Sequence, residues 1–116
     1  MTDVILYHNP RCAKSRQALE LLRGRGIEPI VVEYLKHPPD ARRLKDLLRL
    51  LDMTPRQLMR TKEAAYRDLR LDEPAWDDEH LIVAMTAHPV LIERPIAVKG
   101  MRAAVGRPPE RVLEIL

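Results

Sequence analysis

The stretch HNPRCAKSR, residues 8–16, holds Cys12, the one cysteine of the chain. A lone thiol cannot close an internal disulfide. It is either a small packing residue or a reactive group. An apolar run precedes Cys12 and a helical pattern follows it, so the thiol stands at a helix start. Free backbone N–H groups there favour an anion, a thiolate included. Arg11, Lys14, Arg16 and His8 lie close in sequence and add positive potential. Such surroundings lower a cysteine pKa below its free value of about 8.5. Ser15 stands on the first helical turn and is placed to donate a hydrogen bond toward the sulfur. Pro10, Arg11, Lys14 and Arg16 are poor neighbours for a purely apolar slot, so the reactive reading is preferred.

CAKS has the layout of a C-x-x-C redox motif with serine in the second place. It is not a C-x5-R oxyanion loop, because the arginine of that loop would fall on Ala18. Cations for an anionic reactant must come from elsewhere. The candidates are Arg60 in the helical segment LMRTKE, Arg94 before Pro95, and Arg107 in GRPPE. A guanidinium binds a tetrahedral oxyanion through two parallel hydrogen bonds, which an ammonium cannot do.

The elements that must position these residues follow from periodicity. VILY (4–7) and IVVEY (30–34) read as strands, and Ala13 to Arg25 as the helix between them, closed by Gly24 and Gly26. The connection is long enough for a parallel crossover. Asp40 caps a helix carrying Leu44, Leu47, Leu48 and Leu51. Thr54, Pro55 and Gln57 start another through a capping box. Residues 77–88 form a third, with acidic residues in its first turn and Pro89 beyond its end. PIAV (95–98) and MRAAV (101–105) are strand-like runs joined by a KG hairpin, and residues 107–116 read as a terminal helix. The order is β-α-β, a helical block, then β-β-α. This is an α/β, thioredoxin-like order. It predicts one domain over 1–116 with a helical insertion at about 40–88. In such a fold the residues before the third strand lie beside the active-site helix start, and a cis proline is expected at Arg94–Pro95.

Composition narrows the classes. The chain has 116 residues, 46% hydrophobic and 32% charged, which fits one packed domain. The net charge is +3, with dispersed basic residues, three Tyr, one Trp and no Phe. That is not the footprint of a nucleic-acid binder. No apolar run is long enough to cross a bilayer, and the start carries no signal-peptide pattern. A cytoplasmic monomer is expected. The four His and single Cys show no zinc-ligand spacing, so no metal is expected. His37, His80 and His88 read as surface or capping residues.

HNPRCAKSR, LMRTKEAAY, LIERPIAVKG and GRPPERVLEIL, in this order, closely resemble the glutaredoxin-dependent arsenate reductase family. The resemblance covers essentially the whole chain. RCAKSR and KGMRAAVGRPPE look more like the arsenate reductase-like proteins than like the plasmid resistance enzymes. The resemblance implies that Cys12 attacks arsenate or a similar oxyanion, with Arg60, Arg94 and Arg107 around it. It implies that His8 lowers the thiol pKa. It also implies no bound cofactor, with glutathione as reducing co-substrate and glutaredoxin as partner. Two other readings stay open. One is a monothiol, glutathione-linked oxidoreductase that never meets arsenate. The other is a redox-responsive transcription regulator of the same fold, although such regulators commonly use a C-x-x-C switch and Ser15 removes its second thiol.

Overall fold

The computed structural model describes residues 3–116. The apolar run at the start becomes β1, Val4–His8. A crossover helix α1, Ala13–Gly24, buries Ser15, Ala18 and Leu22 along one stripe. Gly26 turns the chain at φ +76°, a conformation that favours glycine. The chain then enters β2, Ile30–Glu33. β2 pairs with β1 in parallel, with His8 opposite Glu33. Two further strands lie on the other side of β1. β3, Ile96–Lys99, runs antiparallel to β1, and β4, Arg102–Val105, antiparallel to β3. Gly100 makes their hairpin at φ +59°. The sheet order is β2-β1-β3-β4. This is the thioredoxin-like α/β arrangement that the element order predicts.

The chain divides into two compact units. The first holds the sheet, from the N-terminal strand to His37 together with Arg94–Leu116. Its core is Val4, Leu6, Ala18, Leu22, Ala97, Ala104, Val112 and Ile115. The second, Pro38–Glu93, is helical and contains the segment expected as an insertion. It comprises α2 (Ala41–Leu51), α3 (Pro55–Leu58), α4 (Ala64–Asp68), α5 (Asp78–Ala87) and a 3₁₀ turn, Pro89–Leu91. Asp40 caps α2 by accepting from the Arg43 N–H at 2.8 Å. Thr54 and Gln57 close the capping box of α3. Asp77 caps α5. Both α2 and α3 pack against α5, and Leu44, Leu47, Leu58, Leu81 and Met85 are fully buried. Among the described residues no helix is long and apolar enough to cross a membrane.

Two expected helices differ. LMRTKE does not continue α3. Met59 bridges to Ile92, and the N–H of Arg60 donates to Leu91 O at 2.7 Å. A partner distant in sequence has replaced the next helical bond. The terminal segment is a 3₁₀ helix, Pro109–Ile115. Its two buried branched residues, Val112 and Ile115, are three apart, which matches the three-residue turn of that helix.

Candidate active site

Cys12 occupies the N-cap position of α1, with extended backbone (φ −92°, ψ 122°). Asn9 builds the turn that delivers it there. The Asn9 carbonyl accepts from the Cys12 N–H at 3.0 Å, and its side-chain Oδ1 accepts from the Arg11 N–H at 3.0 Å. Arg16 secures the same turn by donating from Nη1 to the Pro10 carbonyl at 3.0 Å. With the N–H groups of Arg11 and Cys12 occupied, those of Lys14 and Ser15 in the first turn favour the thiolate, although neither makes a capping hydrogen bond to the sulfur. Partial burial raises the thiol pKa and is the largest single influence. It is outweighed by the Ser15 N–H, by hydrogen bonding and charge from the Arg94 guanidinium, and by the Lys14 N–H. The net direction is downward, toward the thiolate.

His8 and Ser15 act differently from the sequence expectation. His8, Asn9 and Ser15 are the buried polar residues of this region, at 5%, 8% and 0% exposure. Ser15 Oγ lies 2.6 Å from His8 Nδ1 and accepts from the Asn9 N–H at 3.0 Å. The serine hydroxyl is therefore tied to His8 and Asn9, and it is the serine's backbone N–H, not its hydroxyl, that lowers the thiol pKa. Burial lowers the His8 pKa; nearby Glu33 opposes this, and Arg16 and Arg23 add to it. The ring is neutral at neutral pH, so His8 supplies no positive charge to the thiol. Its contact is with Ser15, behind the turn.

Arg94 and Arg107 come together in the sheet unit. Arg94 precedes β3 and joins Pro95 through a cis bond, as does Arg107 to Pro108. The Arg94 side chain reaches Cys12. Arg107 Nη1 donates to the Arg94 carbonyl at 3.3 Å. Gly106 makes this approach close. Its N–H donates to Pro95 O at 2.8 Å. A Cβ placed on it would meet Pro95 Cγ at 2.7 Å and Val112 Cγ1 at 2.8 Å. Of the local cations expected to act on the thiol, Arg11 and Arg16 are exposed, and the cation that acts is Arg94.

Arg60 belongs to the helical unit. Its Nε donates to Glu63 Oε1 at 2.9 Å and its Nη1 to Glu93 Oε1 at 2.6 Å. These two carboxylates keep it charged against the cost of partial burial. His37, His80 and His88 are exposed, and His80 pairs with Asp77.

Two residues escaped the sequence reading. Asn9 carries a local signal, since Asn-Pro favours turn initiation and an Asn side chain can cap a backbone N–H two residues on. Gly106 carries none, because its partners Pro95 and Val112 are distant in sequence or on the next element.

The family model that matches this chain is the ArsC family, over residues 7–115. The chain belongs to the ArsC family. Two of its relatives are similar along nearly their whole length. The chain is 53% identical to the uncharacterized protein YfgD of Escherichia coli (strain K12), over 98% of this chain and 97% of that one. It is 46% identical to an arsenate reductase of Neisseria meningitidis, covering 100% of both. Among solved structures, an arsenate reductase from Vibrio cholerae superposes with a TM-score of 0.96 at 47% identity, covering 99% of this chain and 98% of that one. The ArsC fold and the thiol at the start of α1 thus occur together in this chain.

Proposed function

We propose that the protein is a single-thiol arsenate reductase that draws its electrons from glutathione and glutaredoxin in the cytoplasm. The observation that carries this reading is Cys12 at the α1 start with Arg94 on its sulfur, in an ArsC-family chain. The Cys12 thiolate attacks the arsenic of arsenate, and an oxygen leaves as water after protonation. The Arg94 guanidinium offsets the charge on the anion and on the departing oxygen. Arg107 holds the Arg94 main chain and adds its own charge. Arg60 takes part in oxyanion binding, on the strength of its place in the family motif. A glutathione thiolate then attacks the adduct. A disulfide forms between Cys12 and glutathione, the electron pair of the sulfur–arsenic bond stays on arsenic, and arsenate becomes arsenite. Glutaredoxin releases Cys12 by thiol exchange.

The test is a coupled NADPH assay with glutathione, glutathione reductase and glutaredoxin, run with and without arsenate. Arsenate-dependent oxidation that vanishes in Cys12→Ser is expected. Arg94→Lys should lose most of that turnover, because a point charge cannot reproduce the fork. NADPH oxidation that ignores arsenate but needs a model disulfide would replace this reading with the monothiol oxidoreductase.

A further inference from the structure

A thiol that reacts with two partners in sequence needs room for each. The strand order sets Cys12 between two flanks, because β1 leads to it and has β3 on one side and β2 on the other. Arg94, which touches the thiol, comes from the β3 flank together with Arg107. On the β2 flank lies a cavity of about 280 Å³. One wall is the turn that carries Cys12, with Asn9, Pro10 and Arg11. The other is the end of β2 and the residues after it, with Glu33, Leu35 and Lys36. We propose that this cavity docks the reducing co-substrate, as a small peptide thiol with two carboxylates and one ammonium.

The wall chemistry selects that class. Arg11 and Lys36 are exposed cations suited to two carboxylates. Glu33 is a carboxylate suited to an ammonium, and it stands only loosely paired with Lys36, at 3.8 Å. Leu35, 41% exposed, and Pro10 give an apolar surface for the middle of a peptide. A bare oxyanion is disfavoured here by Glu33, while the arginine flank offers cations. The volume sits at the small end of ligand cavities, which suits a tripeptide and not a folded protein. The single cysteine makes an external thiol obligatory, since no second sulfur in the chain can resolve an adduct. Two flanks also let the second reactant bind while the first is still attached.

The inference rests on Cys12 being the reacting thiol, and its test contains no arsenate. Cys12 thiolate attacks glutathione disulfide. One glutathione sulfur bonds to Cys12, the glutathione disulfide bond breaks, and glutathione thiolate leaves, with no net electron change. Mass spectrometry follows the mixed disulfide with time. Each rate is divided by that for the neutral 2-hydroxyethyl disulfide, which corrects for any change in thiolate content. In the wild type the glutathione disulfide rate should saturate with concentration. Arg11→Glu/Lys36→Glu should lower the rate ratio about tenfold. Glu33→Gln should lower the ratio for glutathione disulfide but not for dithiodipropionate, which has carboxylates and no ammonium. Arg42→Glu/Arg49→Glu on α2 makes the same change in net charge and should cost less than twofold. An equal loss in that control, an unchanged ratio in the cavity variants, or a rate that never saturates overturns the proposal. Saturable glutathione chemistry in a protein that ignores arsenate would leave the cavity standing and remove the oxyanion reading.

Discussion

Asn9 determines which backbone N–H groups face the sulfur. It takes the N–H of Arg11 on its side chain and that of Cys12 on its carbonyl, and it gives its own to Ser15 Oγ. The alkylation of Cys12 by iodoacetamide should therefore show a pH midpoint below the ordinary thiol range near 8.5. Asn9→Ala should move that midpoint upward, because the Lys14 and Ser15 N–H groups lose their alignment, and should cost about 1–2 kcal/mol of stability. An unchanged midpoint with a lowered Tm would make Asn9 a folding residue only. His8 gives a second measurable consequence. Its pKa is lowered in the folded protein, chiefly by burial, so the unfolded chain binds the proton more readily. The stability linked to a neutral His8 is complete above the unfolded value of about 6.5 and is lost as pH falls through the lower folded value. Tm should fall as the pH drops below about 6.5 in the wild type, and less steeply in His8→Asn. Parallel Tm curves for the two would refute a buried neutral histidine.

At the scale of elements, the junction between β4 and the terminal 3₁₀ helix supports the Arg94 end of the site. Gly106 lies against Pro95 and Val112 with no room for a methyl group. Gly106→Ala should cost about 1–3 kcal/mol by overpacking, a Tm drop of about 4–12 °C. It should also push Pro95, and Arg94 with it, so the Cys12 alkylation midpoint should rise. A fall in Tm with a fixed midpoint would show that this packing does not position Arg94. The elements themselves were largely legible. β1, α1, β2 and the hairpin follow from runs of apolar residues and from the glycines, and the starts of α2 and α3 from the Asp40 and Thr54 caps, all of which act within a few residues. The failures came where a distant partner intervened. Arg60 leaves the helical pattern because Leu91 and Ile92 offer it a bridge, and Val112 and Ile115 favour a three-residue turn because the sheet unit's core receives them at that spacing. The place of Cys12 at a helix start was legible from the apolar run before it and the helical pattern after it. Arg94 was legible through the element order, which sets the residues before the third strand beside the helix start, and through the family motif; nothing local to position 94 announces a sulfur near position 12. Ser15 was placed correctly and given the wrong atom, because a buried histidine competes for its hydroxyl.

For the molecule as a whole, the count of sulfur atoms constrains the reaction more than any distance. Reducing arsenate takes two electrons, and this chain carries one cysteine. On the proposed reading the oxidised protein is therefore joined to something else, and the two candidate partners are glutathione and a second copy through Cys12. A Cys12–Cys12 dimer would press the helix start and the arginine flank of one copy against those of another. Both surfaces are cationic and repel each other, in a chain whose net charge is already +3. The glutathione adduct brings carboxylates to the same place and is favoured by charge. Intact mass spectrometry after arsenate and glutathione, without glutaredoxin, should show one glutathione on Cys12 and no disulfide-linked dimer. Arsenite production should stop near one equivalent per chain and resume when glutaredoxin is added. A dominant dimer would shift the resolving step to a second copy. Sustained turnover with thioredoxin alone would exclude the glutathione adduct from the cycle, because thioredoxin would then be reducing a species that this single thiol forms without it.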